Sequence, residues 1–268
     1  MLVTFLIAFR EGLEAFLLVG ILLAYLRKLD AARYAVWIYV GVAAGLLAAL
    51  AIAFLLQFVI SEFHSDFYRL IITASIMALA AVVLSYMAIW MANQAKESTG
   101  AAKEQLAKHV STGNIFGIAF LAFISVWREA METILFFSAL LYAGQHLSPL
   151  GGLLGVGLAI VSVWLLMRGT RNVPIAQFFR WTSLLLVVIA AGLLASMTNI
   201  LQGIEILPGP TTALFDLSGV LPDKTGLGEF LRGLFGYSAT PTPLQFAVWA
   251  IYLAVAIFLW NRAYAQKS

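Results

Sequence analysis

Apolar runs long enough to cross a bilayer dominate this sequence, and they constrain its fold more than any other feature. An α-helix needs about 20 mainly apolar residues to span the hydrocarbon core. Only 11% of the 268 residues are charged, whereas a soluble domain carries roughly 25%, so soluble classes are excluded. The sequence therefore predicts an all-α integral membrane protein with seven transmembrane helices, at about 2–26, 35–60, 67–92, 115–143, 150–168, 179–201 and 245–262.

The distribution of basic residues predicts the orientation of these helices. Arg27, Lys28 and Arg33 follow the first span, and no basic residue precedes it. Because Lys and Arg concentrate in cytoplasmic loops, this bias places the N-terminus outside and the C-terminus in the cytoplasm. With that orientation, eleven of the sixteen basic residues lie inside and three outside.

The sequence also contains an internal repeat. A shift of 118 positions superimposes two R-E-x-x-E clusters, Arg10, Glu11 and Glu14 on Arg128, Glu129 and Glu132. Three spans per copy is an odd number, so the second copy enters the membrane from the opposite side. We therefore expect a 3+3 inverted-topology repeat plus one C-terminal helix, which is typical of transporters. The predicted organisation is a first three-helix repeat at 1–92, a cytoplasmic linker helix at 93–114, a second repeat at 115–201, an extracytoplasmic segment at 202–244, and a seventh helix with its tail at 245–268.

Small residues recur at every fourth position in the second helix of each repeat. Such ridges let membrane helices approach closely, because lipid provides no hydrophobic drive for helix association. We expect helix contacts along both ridges, Gly41, Gly45, Ala49 and Ala53 in one and Gly151, Gly155 and Ala159 in the other.

The two charged clusters lie near the middle of their spans and predict a buried cation site. Each ionisable group facing lipid would cost about 2.5–3.5 kcal/mol, so the groups must face one another or a hydrated cavity. Carboxylate oxygens suit hard cations such as Mg²⁺, Ca²⁺, Mn²⁺ and iron, and the chain has no cysteine for a thiolate site. We expect Glu11, Glu14, Glu129 and Glu132 to bind metal while Arg10 and Arg128 orient them. Alternatively, each Arg merely neutralises the second Glu of its own cluster.

Both clusters resemble the paired R-E-x-x-E motifs of the oxidase-dependent iron permeases, which include fungal high-affinity iron transporters and bacterial EfeU-type permeases. The run Arg10 to Glu14 matches the R-E-G-L-E motif of that family, and the second copy departs from it at Ala130 and Met131. Similarity continues in "FFRWTSL" (178–184), "AAGLLA" (190–195) and "GLFGY" (233–237), so it covers nearly the whole chain.

This resemblance implies a transporter rather than an enzyme, with iron as the transported substrate and no cofactor. It implies that the four glutamates are translocation ligands. It also implies a multi-pass protein that contacts membrane lipid, most simply in a bacterial inner membrane. It also implies an extracytoplasmic iron oxidase or iron-delivery partner. No nucleic-acid partner is expected.

Further acidic residues lie in the predicted outer segments. Glu62, His64 and Asp66 in the loop "SEFHSD" could collect metal at the entrance, and Asp216 could do so in the segment 202–244. Within that segment, the runs "ALFDLSGVL" and "LGEFLRGLFGY" are interpreted as short helices.

Two other functions compete with iron transport. The same carboxylates could carry another hard divalent cation such as Mn²⁺, or an organic cation. The second alternative is a membrane di-iron oxidase. Such sites pair Glu with a His three residues later, and the spans supply no such histidine.

Overall fold

We describe the fold from a computed structural model, which covers residues 1–62, 65–94, 97–168, 175–223 and 226–265. Helices connected by turns make up this described part of the chain, and it contains no β-strand. A short 3-10 helix at Ala32–Tyr34 precedes α2. The α-helices are α1 (Leu2–Lys28), α2 (Ala35–Glu62), α3 (Asp66–Gln94), α4 (Glu97–Ser111), α5 (Ile115–Tyr142), α6 (Pro149–Met167), α7 (Ile175–Gly203), α8 (Gly226–Phe235) and α9 (Pro243–Ala265).

Five of the predicted spans are confirmed as helices that are long and apolar enough to cross a membrane. They lie at Ala32–Phe58, Asp66–Ile89, Pro149–Met167, Arg180–Gly203 and Pro243–Arg262. The chain is therefore an all-helical, multi-pass integral membrane protein. The other two predicted spans, α1 and α5, contain 27 and 28 residues, and each carries one R-E-x-x-E cluster. Their passage through the membrane stays a prediction.

The helices form two compact units. The first unit comprises Met1–Val59, Gln94–Ile134 and Ser148–Val173, and it contains both charged clusters. The second unit comprises Ile60–Asn93, Leu135–Leu147 and Pro174–Ser268. The long helix α5 contributes its first twenty residues, through Ile134, to the first unit.

In the first unit, α6 packs along α1 through its ridge of small residues. A methyl group built on Gly151 would lie 2.6 Å from the carbonyl oxygen of Met1, and one built on Gly155 would lie 2.5 Å from that of Phe5 and 2.8 Å from the amide nitrogen of Phe9. These distances leave no room for a side chain, so glycine is what allows the two backbones to approach.

The ridge of α2 makes the matching contact with α5. Gly41 lies against the backbone of Ala119, and a methyl group on Gly45 would lie 3.0 Å from the carbonyl oxygen of Phe123 and 3.2 Å from the amide nitrogen of Trp127. Each of these three α5 residues lies 118 positions after the α1 residue that contacts α6 in the same way.

The linker helix α4 closes the predicted cytoplasmic end of this unit. Its residue Leu106 is fully buried in an apolar cluster with Leu22 and Leu26 of α1, Ile38 of α2 and Ile118 of α5. The exposed residues of α4 include Glu104 and Lys108, so the helix is amphipathic and seats its apolar face on the ends of its neighbours.

In the second unit, α7 packs against α8 and α9. The indole nitrogen of Trp260 in α9 donates a hydrogen bond to the hydroxyl of Ser183 in α7 at 3.0 Å. Further along α7, Gly192 touches Gly236, which has a positive φ of 65°. Glycine at both positions permits this close contact.

One of the two short helices predicted in the segment 202–244 is confirmed, and the other is wrong. Helix α8 covers most of "LGEFLRGLFGY", whereas residues 213–221 form turns. The carboxylate of Asp216 accepts a hydrogen bond from the amide of Ser218 at 2.8 Å, and the amide of Leu217 donates to the carbonyl of Ala239 at 2.9 Å. These bonds occupy the groups that a helix would pair, because an Asp side chain bonded two residues ahead stabilises a turn.

Candidate metal centre

The first charged cluster is buried almost completely within α1. Arg10 is 1% exposed and Glu11 is 2% exposed. The guanidinium of Arg10 donates through one terminal nitrogen to Glu11 and lies 3.0 Å from a carboxylate oxygen of Glu14 through the other. One arginine therefore bridges both glutamates of its cluster, as the spacing of one and four residues allows on a helix.

The second cluster, on α5, has the same spacing but a different set of contacts. Arg128 donates to a single oxygen of Glu129, from Nε at 3.0 Å and from Nη2 at 2.5 Å. Its distance to Glu132 is 3.7 Å, beyond hydrogen-bond length. The Arg128 side chain is 47% exposed, while the Glu129 side chain is buried.

Three of the four predicted ligands converge in the first unit. One carboxylate oxygen each from Glu11, Glu129 and Glu132 lie within 4.8 Å of one another. Oxygens bound at about 2.0–2.6 Å to one hard cation are separated by up to roughly 4–5 Å. The three oxygens are therefore close enough to bind a common ion with little movement.

Each of these glutamates also has an oxygen that lacks a hydrogen-bond partner in the described part of the chain. These atoms are Oε2 of Glu11, Oε2 of Glu129 and Oε2 of Glu132, and all three are buried. A buried carboxylate oxygen without a partner is costly, because the lost hydration is not replaced. A bound cation would supply that missing interaction.

Small residues on neighbouring helices position both clusters. Gly12, between Glu11 and Glu14, faces α6, where a methyl group would lie 3.3 Å from the β-carbon of Ala159. On α5, Trp127 immediately precedes Arg128 and contacts Gly45 of α2. Each charged segment is thus held in place by a helix packed directly behind it.

Two of the predicted entrance residues, Asp66 and Asp216, belong to the second unit. Asp66 is exposed and lies 3.9 Å from Arg69. Asp216 is exposed, and hydrogen bonds from the Ser218 hydroxyl and amide hold the pKa of its carboxyl below the ordinary value. The side chain of Glu62 and the whole of His64 lie outside the described residues. An entrance role for these four residues stays a prediction.

Sequence reasoning identified the charged residues and the two ridges, but it missed the unequal pairing of the clusters and the partner of each ridge. The charged residues and their spacing are the same in both motifs, so they do not distinguish Arg10 from Arg128. The ridge partners could have been found, because the repeat itself requires that if α6 packs on α1, then α2 packs on α5.

Taken together, a multi-pass helical fold and a buried group of carboxylates define a membrane protein built to hold a cation. Comparison with known proteins agrees: the Iron permease FTR1 family matches residues 1–268. The chain belongs to this family.

Individual relatives are similar over nearly their whole length. The chain is 33% identical to the ferrous iron permease EfeU of Yersinia pestis over 263 residues, which cover 97% of this chain and 93% of the relative. It is 30% identical to the ferrous iron permease EfeU of Escherichia coli O6:K15:H31 over 274 residues, covering 100% and 99%. No solved structure matches the chain. The family and these relatives identify an iron transporter rather than an enzyme.

Proposed function

We propose that this chain carries Fe²⁺ inward across a bacterial inner membrane through a carboxylate site between α1 and α5. The observation that carries the proposal is the convergence of Glu11, Glu129 and Glu132 within 4.8 Å. The two helices come from different parts of the chain, so only the folded protein assembles this ligand set.

In this proposal α1 and α5 cross the membrane as the first and fourth of seven spans. Both helices carry too many charged residues to be recognised as spans by apolarity alone. However, Arg10, Glu11 and Glu129 are buried within the protein, so these charges would not be exposed to lipid at high cost. The N-terminus then lies outside and the C-terminus lies in the cytoplasm, as the basic residues predict.

The two three-helix repeats would alternate access to the site. The matched glycine contacts support this arrangement, because Gly151 and Gly155 approach α1 as Gly41 and Gly45 approach α5, and the contacted residues of α1 and α5 lie 118 positions apart. In transporters with inverted repeats, the substrate site lies at the repeat interface and rocking of the repeats opens it to each side in turn.

The charge of the site favours a divalent ion. Four carboxylates and two guanidiniums sum to a formal charge of −2, which Fe²⁺ neutralises. The name of the similar relatives, ferrous iron permease, supports the same valence. The carboxylates would replace part of the ion's hydration shell, and protons would compete with the metal for the same oxygens during release.

Iron would reach the site from the extracytoplasmic face. In this proposal a partner outside the membrane, an iron oxidase or an iron-delivery protein, handles the ion before transport. The carboxylates of Asp66, Asp216 and Glu62 would attract the cation to the entrance by the local negative potential that they create, and His64 would offer a neutral imidazole ligand there.

Iron uptake into proteoliposomes tests the proposal. Native protein and the variants Glu11→Gln and Glu129→Gln would receive radiolabelled Fe(II) with ascorbate or chelated Fe(III) in parallel. Glu104→Gln, which changes an exposed carboxylate on α4, is the matched control. We expect Fe(II) uptake by the native and control proteins only. Undiminished uptake by both site variants would overturn the proposal, and stronger competition by Mn²⁺ than by unlabelled Fe(II) would reassign the substrate.

A further inference from the structure

We infer that the two motif copies contribute unequally to the ion: Glu11, Glu129 and Glu132 are its protein ligands, and Glu14 is a positioning residue that acts through Arg10. This inference rests on the proposed function, and it departs from the equal roles that the repeated motif suggests.

Arg10 is the physical cause of the inequality on α1. It is buried and bridges Glu11 and Glu14. Buried charges persist only when they are paired, and Glu14 supplies the second negative charge that Arg10 needs once Glu11 turns toward a metal. Glu14 therefore holds the guanidinium while Glu11 gives its other oxygen to the ion.

On α5 the corresponding glutamate is left available. Arg128 uses two nitrogens on one oxygen of Glu129, and its Nε lies 3.7 Å from a carboxylate oxygen of Glu132. Half of the Arg128 side chain is exposed, so it is not enclosed between its two glutamates as Arg10 is. Glu132 thus joins the converging group. Oε1 of Glu14 is also buried without a hydrogen bond, but it lies 3.0 Å from Arg10 and outside that group.

The consequence is that Glu14 controls how tightly Arg10 competes for Glu11. Without the Glu14 charge, Arg10 would be drawn toward Glu11 and would oppose the metal there. Removing Arg10 as well would return the site to a formal charge of −2 and release Glu11. A true ligand cannot be rescued in this way, because the lost metal–oxygen bond is not restored.

Binding of Mn²⁺ and of Fe²⁺ under anaerobic conditions, measured by calorimetry on the purified full-length protein, tests the inference. The key variants are Glu14→Gln and Arg10→Gln/Glu14→Gln. The matched controls on α5 are Glu132→Gln and Arg128→Gln/Glu132→Gln. Outer partners of metal ligands typically change affinity by about 10–100-fold, and we expect Glu14→Gln to weaken binding by roughly 10-fold while the double variant recovers most of that loss. Neither α5 variant should recover binding.

The outcomes separate this inference from the proposed function. If Glu14→Gln abolishes binding as Glu132→Gln does, and the double variant is no better, Glu14 is a ligand and the inference is wrong while the site stands. If Glu11→Gln, Glu129→Gln and Glu132→Gln all bind like the native protein, the proposed site itself fails. Thermal unfolding of each variant identifies any loss that comes from misfolding, and in that case the double variant, which keeps the native net charge, decides the matter.

Discussion

The α1 and α5 clusters have the same R-E-x-x-E spacing, yet they occupy different environments. On α1 the arginine is 1% exposed and bridges two glutamates. On α5 it is 47% exposed, donates hydrogen bonds to Glu129 and lies 3.7 Å from Glu132. The difference shows that a repeated motif fixes which charges are present, while the surrounding helices decide which of them remain available to an ion.

Replacing the two arginines should give the largest contrast between the clusters. Arg10→Met leaves Glu11 and Glu14 buried without their counter-charge, and breaking a buried pair in this way costs about 3–5 kcal/mol. Arg128→Met also leaves Glu129 buried without its counter-charge, but it should cost less, because the Arg128 side chain is half exposed and lies 3.7 Å from Glu132. The free energy of unfolding of each variant in detergent measures the difference. Equal losses would mean that the two environments do not differ energetically.

The helices behind the clusters should also respond unequally to added volume. A methyl group on Gly155 meets the α1 backbone at 2.5 Å, whereas one on Gly45 meets the α5 backbone at 3.0 Å. Overpacking typically costs about 1–3 kcal/mol, so Gly155→Ala should lower the unfolding free energy more than Gly45→Ala. The control is Gly157→Ala, on the same helix as Gly155 but with open space around it, which should have no measurable cost. A loss at Gly157 as large as at Gly155 would refute the packing argument.

Exposed carboxylates should matter least. Asp216→Asn removes a charge that lies on the surface and is already hydrogen-bonded to Ser218. We expect it to slow iron uptake by no more than about tenfold, since surface charge acts mainly on the rate of encounter, and to leave the affinity of the buried site unchanged. The initial rate of uptake at low and high salt measures this, because salt should remove the difference. An effect that persists at high salt would assign Asp216 a direct role.

Much of this architecture is readable from the sequence. Length and apolarity predict the helices, and the scarcity of charge inside them identifies the two clusters before any coordinates are known. The prediction that spans 1 and 4 converge agrees with the meeting of Glu11, Glu129 and Glu132. The sequence does not show which carboxylates each arginine pairs with. Arg10 and Arg128 are the same residue type at the same motif position, and they differ in how deeply the folded protein buries them.

The error at residues 213–221 has a similar origin. The run is apolar enough to form a short helix, but the side chain of Asp216 and the carbonyl of Ala239 compete successfully for the amides of Ser218 and Leu217. Hydrogen bonds to residues distant in sequence cannot be read from a local pattern, so propensity was overridden by tertiary contacts.

The most direct test of the central claim is to locate the bound iron by anomalous diffraction at the iron absorption edge from crystals grown anaerobically with Fe²⁺. The account predicts a single strong peak between α1 and α5, within bonding distance of oxygens from Glu11, Glu129 and Glu132, with Glu14 still paired to Arg10. A peak elsewhere, with these glutamates unliganded, would contradict the claim that this carboxylate group is where the ion crosses the membrane.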